Sequence, residues 1–414
     1  MNLMQRREWL KRATVGGTAA LTGVSFGGQS DQKPKREKLP VAAVITEYRT
    51  NSHADVIVGK ILEGFKQDGG PGPDLQVISM YTDQVPERDL SRDLAKKYGF
   101  RLTETIEEAV TADKRIAGVL SIGEHGNYPY TRDTNQHMYP RRRFFDQITA
   151  AFQKSGRVVP VFNDKHLAYN WRDAKHMYDA GKKMKIPFMA GSSLPVTWRV
   201  PALALPMGCE IEEALAIGYG GLESYGFHAL ETFQCMVERR HGGESGVKAV
   251  QAVQGEEIWK TEQQGRWTRS LFDAALRTMP NVPEGNPKDR LSKGAAFYLI
   301  EYADGMKATV AMANGIARHF AFAAKLRGRR EPVATWFKLE DDKPFGHFAY
   351  LVKAIENMIH TGRPSYPVER TLLTTGILDN VMHSLFQKGK RIETPQLALS
   401  YKAVDWPFAG QGES

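Results

Sequence analysis

The stretch VVPVFNDKHLAYNWRDAKHMYDAGKKMKIPFMA, Val158–Ala190, predicts a strand, an amphipathic helix and a second strand in immediate succession. Val158–Phe162 is a short β-branched run typical of a buried parallel strand, and Lys185–Ala190 is expected to form the next strand. Small and apolar residues recur between them at helical spacing: Ala168, Trp171, Ala174, Met177, Tyr178 and Gly181. In a strand–helix–strand unit the ligand crevice lies outside the carboxyl ends of the strands. The polar residues expected at that crevice are Asp164, Lys165 and His166.

This segment resembles the Glu-Lys-Pro strand end and following helix of the glucose–fructose oxidoreductase, inositol dehydrogenase and MocA (Gfo/Idh/MocA) family. In that family the lysine contacts the reacting hydroxyl beside the nicotinamide, and Lys165 matches it. The stretch ESYGFHALETFQCMVERRHG, Glu223–Gly242, resembles the family's Gly-x-His helix, whose catalytic histidine corresponds to His228. The resemblance therefore implies that Lys165 and His228 form the catalytic acid–base pair.

Further segments extend the resemblance over most of the chain. They are Val41–Ile45 as the first strand, Asp74–Phe100 as the second strand and the helix after it, Gly118–Ile122 as the fourth strand, Phe297–Met312 as hairpin strands around Asp304-Gly305, and His347–Glu393 as closing helices. The implied fold is α/β, with an N-terminal Rossmann-like parallel sheet domain and a C-terminal α+β domain that has a large open, mainly antiparallel sheet. The implied limits are residues 1–38 for an export leader and linker, 39–192 and 193–402 for the two domains, and 403–414 for a tail. The open sheet of the family also implies a homodimer or a higher oligomer.

The turn after the first strand departs from the family pattern. A glycine-rich dinucleotide fingerprint is expected there, but ITEYRTN contains no glycine and places Thr46, Tyr48 and Asn51 at the aligned positions. Side chains would fill the space through which the backbone approaches a pyrophosphate. Arg49 could contact a phosphate in compensation, and Asp83 is the residue expected to hold a ribose. The implied cofactor, NAD or NADP, would therefore bind in an altered pocket.

Other polar residues are expected to bind substrate. Glu124 and His125 end the strand VLSIG beside Asp164 and His166, so the four side chains could converge on one crevice. They could hold a divalent metal or bind sugar hydroxyls without one. Trp198 and Arg199 begin the family's substrate loop, where the tryptophan could stack on a sugar or simply seal the interdomain core.

Arg141–Arg143 follow Pro140, which is expected at the first position of a helix that reaches about Lys154. Cations at a helix N-terminus oppose the helix dipole, so this end needs an anionic partner. The partner could be an anionic group of a ligand. The alternative is a carboxylate of the protein, such as Asp133 or Asp146.

The N-terminus resembles a twin-arginine export signal. QRREWLK at Gln5–Lys11 precedes the weakly apolar run Ala13–Phe26, which is too short to span a bilayer. The protein is thus expected to be periplasmic or otherwise exported, without a membrane span once the leader is removed. In an oxidising compartment Cys209 and Cys235 could pair, although two unpaired thiols are the simpler expectation.

Composition limits the class of partner. The formal charge of +9 is spread along 414 residues, and no basic patch interleaved with aromatic residues indicates nucleic acid. A small carbohydrate or polyol is the expected partner. Three hypotheses remain open: a sugar or polyol oxidoreductase with an altered nicotinamide site, a nicotinamide-free lyase, epimerase or hydrolase that could use a metal, and a non-catalytic sugar-binding protein.

Overall fold

Six parallel strands form the first sheet of the computed structural model, which describes residues 37–411. The twin-arginine motif and the last three residues of the tail lie outside the described residues. The strands are β1 (Leu39–Ile45), β2 (Leu75–Thr82), β3 (Arg101–Thr103), β4 (Gly118–Ile122), β5 (Val161–Asp164) and β6 (Phe188–Gly191), and their order across the sheet is β3-β2-β1-β4-β5-β6. This is the strand order of the Rossmann fold, in which ligands bind at the carboxyl ends of the strands.

Five helices connect these strands: α1 (His53–Glu63), α2 (Ser91–Tyr98), α3 (Ile106–Thr111), α4 (Arg141–Ser155) and α5 (Trp171–Lys183). The helix α5 begins at Trp171 because the Asn170 side chain accepts a hydrogen bond from the Asp173 N–H and caps the first turn. Pro140 immediately precedes α4, so its prediction as the first helical residue was wrong by one position.

The predicted strand limits around Val158–Ala190 were also shifted. The strand β5 begins after Pro160 and β6 begins after Pro187, because proline has no N–H to donate to a neighbouring strand. The effect is to place Asp164 at the last position of β5 and Lys165 directly beyond it. The predicted β4 limits, Gly118–Ile122, match the structure.

The second sheet has eight strands. They are β7 (Trp198–Val200), β8 (Ile211–Gly218), β9 (Val247–Gln254), β10 (Ala296–Tyr302), β11 (Lys307–Met312), β12 (Phe320–Leu326), β13 (Val333–Lys338) and β14 (Ile392–Glu393), in the order β14-β9-β10-β11-β8-β12-β13-β7. Only β11 and β8 pair in parallel, so the sheet is mainly antiparallel, as predicted. The hairpin β10–β11 turns at Asp304-Gly305, where Gly305 has a φ of 85°.

Helices cover both faces of the second sheet and then return to the first. They are α6 (Ser224–Val237), α7 (Glu256–Gln263), α8 (Arg269–Thr278), α9 (Pro287–Arg290), α10 (His347–Thr361) and α11 (Val368–Phe386). Apolar residues of α10 share a core with β1, whereas α11 contributes Leu372 to the core beside α5 and Leu373 to the core of the second sheet. A buried ion pair between Arg370 and Glu238 joins α11 to the residue after α6. The chain from Lys38 onward is consequently one compact unit.

Two further features answer questions that the sequence raised. Cys209 and Cys235 are unpaired, and Cys235 is buried on α6. Among residues 37–411, no helix combines the length and the apolar character needed to cross a bilayer.

Candidate active site

A cavity of about 780 Å³ lies at the carboxyl ends of the parallel strands and reaches the second sheet. Its polar lining includes Glu124 and His125 after β4, Lys165 after β5, His228 on α6 and His53 at the start of α1. The two residues implied to be catalytic are thus brought to the same cavity. Glu124 and His125, predicted to bind substrate, line it as well.

Lys165 is positioned by an unusual backbone conformation. Its φ is 66°, and its N–H donates a hydrogen bond to the Gly191 carbonyl over 3.0 Å. The side-chain Nζ lies 3.4 Å from Glu124 Oε1 and donates to the Ser224 carbonyl over 3.3 Å. The lysine therefore spans from the strand edge to the first turn of α6, which also carries His228.

Glu124 is a buried carboxylate between two cations. Arg141, whose side chain is fully buried, pairs with its second oxygen. Burial alone would raise the pKa of Glu124, but the charges of Lys165 and Arg141 hold it well below its usual value. Glu124 therefore remains ionised and fixes both cations. A carboxylate of the protein was one of the two partners expected for the helix end at Arg141. That Arg141 itself lies at the site was not expected.

His228 is a half-buried imidazole on α6 whose Nδ1 atom is buried. Two effects lower the pKa of His228 well below 6.5: burial, which is the larger, and the positive charge of Lys165. Its Nδ1 has no hydrogen-bond partner within the described part of the chain, and its ring lies edge-on to Tyr225 and Phe320. At neutral pH His228 is therefore uncharged and able to accept a proton.

His53 is a site residue that sequence analysis missed. It is the first residue of α1, and its Nδ1 lies 2.6 Å from Oδ2 of the fully buried Asp164. Its ring centroid lies 5.4 Å from that of His125, whose pKa burial lowers to about 3. Asp164 thus orients a histidine rather than lining the cavity itself. A histidine directly after the helix-capping Ser52, in the turn that should bear glycines, was the available signal.

His166 faces the layer behind the cavity. Its Nε2 lies 3.1 Å from Glu223 Oε1 and 3.3 Å from Arg141 Nη1. Burial and the nearby Arg141 lower the pKa of His166. His166 contacts Glu223 and Arg141. It was predicted to line the cavity, but it does not.

Arg142, next to Arg141 at the start of α4, pairs with Asp146 and Asp173. The protein's own carboxylates therefore neutralise this helix end.

The turn Thr46–Asn51 does not form a standard dinucleotide cradle. Thr46 and Tyr48 are fully buried, and Thr46 Oγ1 donates to the Glu124 carbonyl over 2.6 Å. Arg49 extends to Glu47 and to His125 Nδ1. Thr46 and Arg49 are therefore engaged by contacts within the chain.

The N-terminus of α1 is capped by the side chain of Ser52. Ser52 Oγ accepts from the N–H groups of Arg49 and Asp55, and Asp55 Oδ2 accepts from the Asn51 N–H. The Asp55 carboxylate thus adds a negative charge at this end of the helix, where it would repel a phosphate.

Asp83 lies just beyond β2, as expected for a ribose-binding acid, but its carboxylate already has several donors. They are the hydroxyls of Tyr81 and Tyr128 and the guanidinium of Arg143. Burial would raise the pKa of Asp83, but these hydrogen bonds lower it. Of the residues expected to bind NAD or NADP, Thr46, Arg49 and Asp83 are therefore engaged by partners within the protein, and a dinucleotide would have to displace those contacts.

Trp198 and Arg199 do not line the cavity. The Arg199 guanidinium donates to the carbonyls of Leu203 and Pro195 and lies 4.1 Å from the Phe408 ring centroid. Trp198 packs edge-on to Tyr350. Both residues were predicted to bind substrate, but neither reaches the cavity. Trp198 packs against Tyr350, and the Arg199 guanidinium donates hydrogen bonds to carbonyls of its own loop.

The structure gives no support to a divalent metal. Among the side chains of residues 37–411, no group of three or more His, Cys, Asp or Glu is arranged to hold an ion. Glu124 is instead engaged by Arg141 and Lys165, and Asp164 by His53.

Solved structures with a similar fold include dehydrogenases and an oxidoreductase. GenD2 from gentamicin A biosynthesis, solved in complex with NAD, is 15% identical, with a TM-score of 0.56 over 86% of this chain and 97% of that one. The scyllo-inositol dehydrogenase of Lactobacillus casei is 11% identical, with a TM-score of 0.54 over 86% and 98%. An NAD-binding oxidoreductase of Klebsiella pneumoniae is 12% identical, with a TM-score of 0.53 over the same shares.

Sequence comparison adds no closer relationship. The chain matches no family model and none of the curated proteins. What these structures have in common with the chain is the architecture of a parallel six-stranded sheet followed by a large mixed sheet. The chain has the fold of the Gfo/Idh/MocA-type dehydrogenases.

Proposed function

We propose that the protein is a nicotinamide-independent acid–base enzyme, a lyase or epimerase, that acts on a carbohydrate or polyol derivative bearing a carbonyl or carboxylate group. The observation that carries this proposal is the uncharged His228 in the same cavity as the Lys165 ammonium, together with a glycine-free turn after β1 whose Thr46 is engaged by the Glu124 carbonyl. A base next to a cation suits removal of a proton from carbon, since the cation stabilises the oxygen on which negative charge develops.

The side chains divide this chemistry among them. His228 accepts the carbon-bound proton, and the Lys165 ammonium contacts the carbonyl or carboxylate oxygen. His53, oriented by Asp164, is the second proton-transfer group at the cavity. It returns a proton to carbon in an epimerase or donates one to the leaving oxygen in a lyase. Glu124 and Arg141 hold Lys165 in place.

Hydrolysis fits less well. A glycoside hydrolase needs one carboxylic acid that stays protonated and donates to the leaving oxygen. The carboxylates nearest Lys165 and His166 are Glu124 and Glu223, and the pKa of each is lowered by its partners against the effect of burial. Neither is a ready proton donor.

A sugar or polyol oxidoreductase is the second candidate. It is favoured by the placement of Lys165 and His228 in one cavity of a fold that NAD-binding oxidoreductases also have. This candidate requires a dinucleotide to displace contacts made by Thr46, Arg49 and Asp55. We further propose that the protein works outside the cytoplasm, which the Arg6-Arg7 motif supports.

Proton transfer can be tested without knowing the natural substrate. Uronic acids and keto sugars are incubated with the protein in D₂O without nucleotide, and loss of C–H signals is followed by proton NMR. We expect exchange or elimination with the wild type and a decrease of roughly 10²–10⁴-fold in His228→Gln and in Lys165→Met.

His176→Gln is the matched control, because His176 lies on the exposed face of α5 and pairs with Asp146. It should retain the wild-type rate. Activity that appears only when NAD or NADP is added would favour the oxidoreductase, and wild-type exchange by His228→Gln would contradict the assigned base.

A further inference from the structure

Exposed aromatic side chains concentrate at the mouth of the cavity. Among the described residues, the large apolar side chains with high exposure include three aromatic ones: Tyr130 at 55%, Tyr225 at 39% and Phe386 at 53%. Tyr130 and Tyr225 line the cavity, whereas Phe386, the last residue of α11, does not. An exposed aromatic ring beside a polar cavity loses contact with water when an apolar sugar face covers it.

One aromatic surface comes from the connection between β4 and α4. Tyr130 stacks on His137 with ring centroids 4.2 Å apart, and His137 stacks on Tyr139 at 3.9 Å. The Tyr139 ring in turn lies 4.9 Å from the Arg141 guanidinium, which pairs with the buried Glu124. The aromatic stack thus runs from the exposed mouth to the buried charges.

This connection is held in a fixed conformation. The Thr131 N–H donates to the Gln136 carbonyl and the Met138 N–H donates to the Pro129 carbonyl, so the segment forms a small hairpin. Because the backbone is fixed by these bonds, Tyr130 is presented in one place without a large loss of conformational entropy on binding.

The other aromatic surface lies on the second sheet and α6. Tyr225 packs edge-on to Tyr219 at 5.2 Å and is parallel to Phe320 at 6.2 Å. Its ring centroid lies 5.9 Å from that of His228, one turn along the same helix. A sugar ring on Tyr225 would therefore adjoin the sugar that reacts at His228.

We propose that the substrate is an oligosaccharide of at least two sugar units, with the reacting unit at Lys165 and His228 and neighbouring units stacked on Tyr130 and Tyr225. The inference rests on the proposed function for its carbohydrate class and adds the length of the chain. A cavity of about 780 Å³, open between two aromatic surfaces, is larger than one sugar ring requires.

The test compares trisaccharides with their monosaccharides by isothermal titration calorimetry. The probes are glucose and cellotriose, N-acetylglucosamine and chitotriose, and galacturonic acid and trigalacturonic acid. We expect at least one trisaccharide to bind about tenfold or more tightly than its monosaccharide. Tyr130→Ala and Tyr225→Ala should each reduce that ratio by several-fold and leave monosaccharide affinity unchanged, whereas Tyr→Phe at either position should retain it.

Phe386→Ala is the control for loss of an exposed aromatic ring and should leave every affinity unchanged. Melting temperatures of the variants show whether each one folds. Equal affinities for mono- and trisaccharides, or alanine variants with the wild-type ratio, would overturn the oligosaccharide proposal alone. Failure of the wild type to bind any of the six sugars would overturn it together with the carbohydrate class of the proposed function.

Discussion

Two of the non-glycine residues with left-handed backbone at the cavity carry side chains that can act in catalysis. Lys165 and His125 have φ values of 66° and 72°, although neither is glycine. Such a conformation costs on the order of 1–3 kcal/mol and persists only where the surroundings fix it. Here the Lys165 N–H is held by the Gly191 carbonyl, and the turn aims Nζ at Glu124. The strain therefore positions the cation that the proposed reaction needs.

Buried histidines at the cavity predict acid sensitivity of the fold. Burial lowers the pKa of His125 and of His347 to about 3, whereas the unfolded chain titrates near the ordinary value of about 6.5. Between these limits the unfolded state binds protons that the folded state does not. The free energy of unfolding should thus fall with decreasing pH by about 1.4 kcal/mol per unit for each such histidine.

Urea unfolding at several pH values between 7 and 4 measures this slope. In His347→Gln the slope of the unfolding free energy against pH should decrease by about 1.4 kcal/mol per unit, the contribution of one proton. The glutamine cannot titrate, and it keeps an acceptor for the Glu340 N–H. Parallel wild-type and variant curves would contradict the role of His347.

At the residue scale, sequence patterns located part of the site. Lys165 follows a strand and His228 lies on a helix whose motif is recognisable, so both could be predicted. His53 and Arg141 were not predicted at the site, because the contact that places each one there is made across the fold: His53 with Asp164 and Arg141 with Glu124. The orientations of Arg199 and His166 depend on packing that periodicity does not encode.

The element that decides between the two candidate functions is the turn between β1 and α1. It resembles a dinucleotide turn in position and differs in content, because it has no glycine, its Thr46 donates to the Glu124 carbonyl, and its Asn51 N–H donates to the Asp55 carboxylate. The strand order alone would predict a cofactor site here. The residues of the turn are more specific evidence about cofactor binding than the strand order is.

Titration with NAD⁺, NADP⁺ and their reduced forms tests this element directly. We expect no measurable heat and no shift of the melting temperature at about 1 mM nucleotide, whereas a ligand at 100 times its Kd would stabilise the fold by about 2.7 kcal/mol. GenD2, which has been solved with NAD, is the positive control. Micromolar affinity would restore the oxidoreductase as the first candidate.

Across the whole molecule, sequence patterns predicted both sheets but not how the C-terminal helices join them. Hydrophobic periodicity reports which face of α11 is apolar only when one face is polar, and most of this helix is buried on all sides. Leu372 and Leu373 therefore enter different cores although they are adjacent in sequence.

The proposed location of the whole molecule is testable at its N-terminus. If Arg6 and Arg7 form a twin-arginine signal, Arg6→Lys together with Arg7→Lys should retain the precursor in the cytoplasm, because the export machinery reads the paired guanidinium groups rather than bulk charge. Cell fractionation and immunoblotting of the full chain measure the distribution. The matched control is Lys11→Arg plus Arg12→Lys, which keeps the net charge and leaves the pair intact. Equal export of both double variants would show that the paired arginines do not direct the protein out of the cytoplasm, and the carbohydrate chemistry would then have to be sought among intracellular sugars.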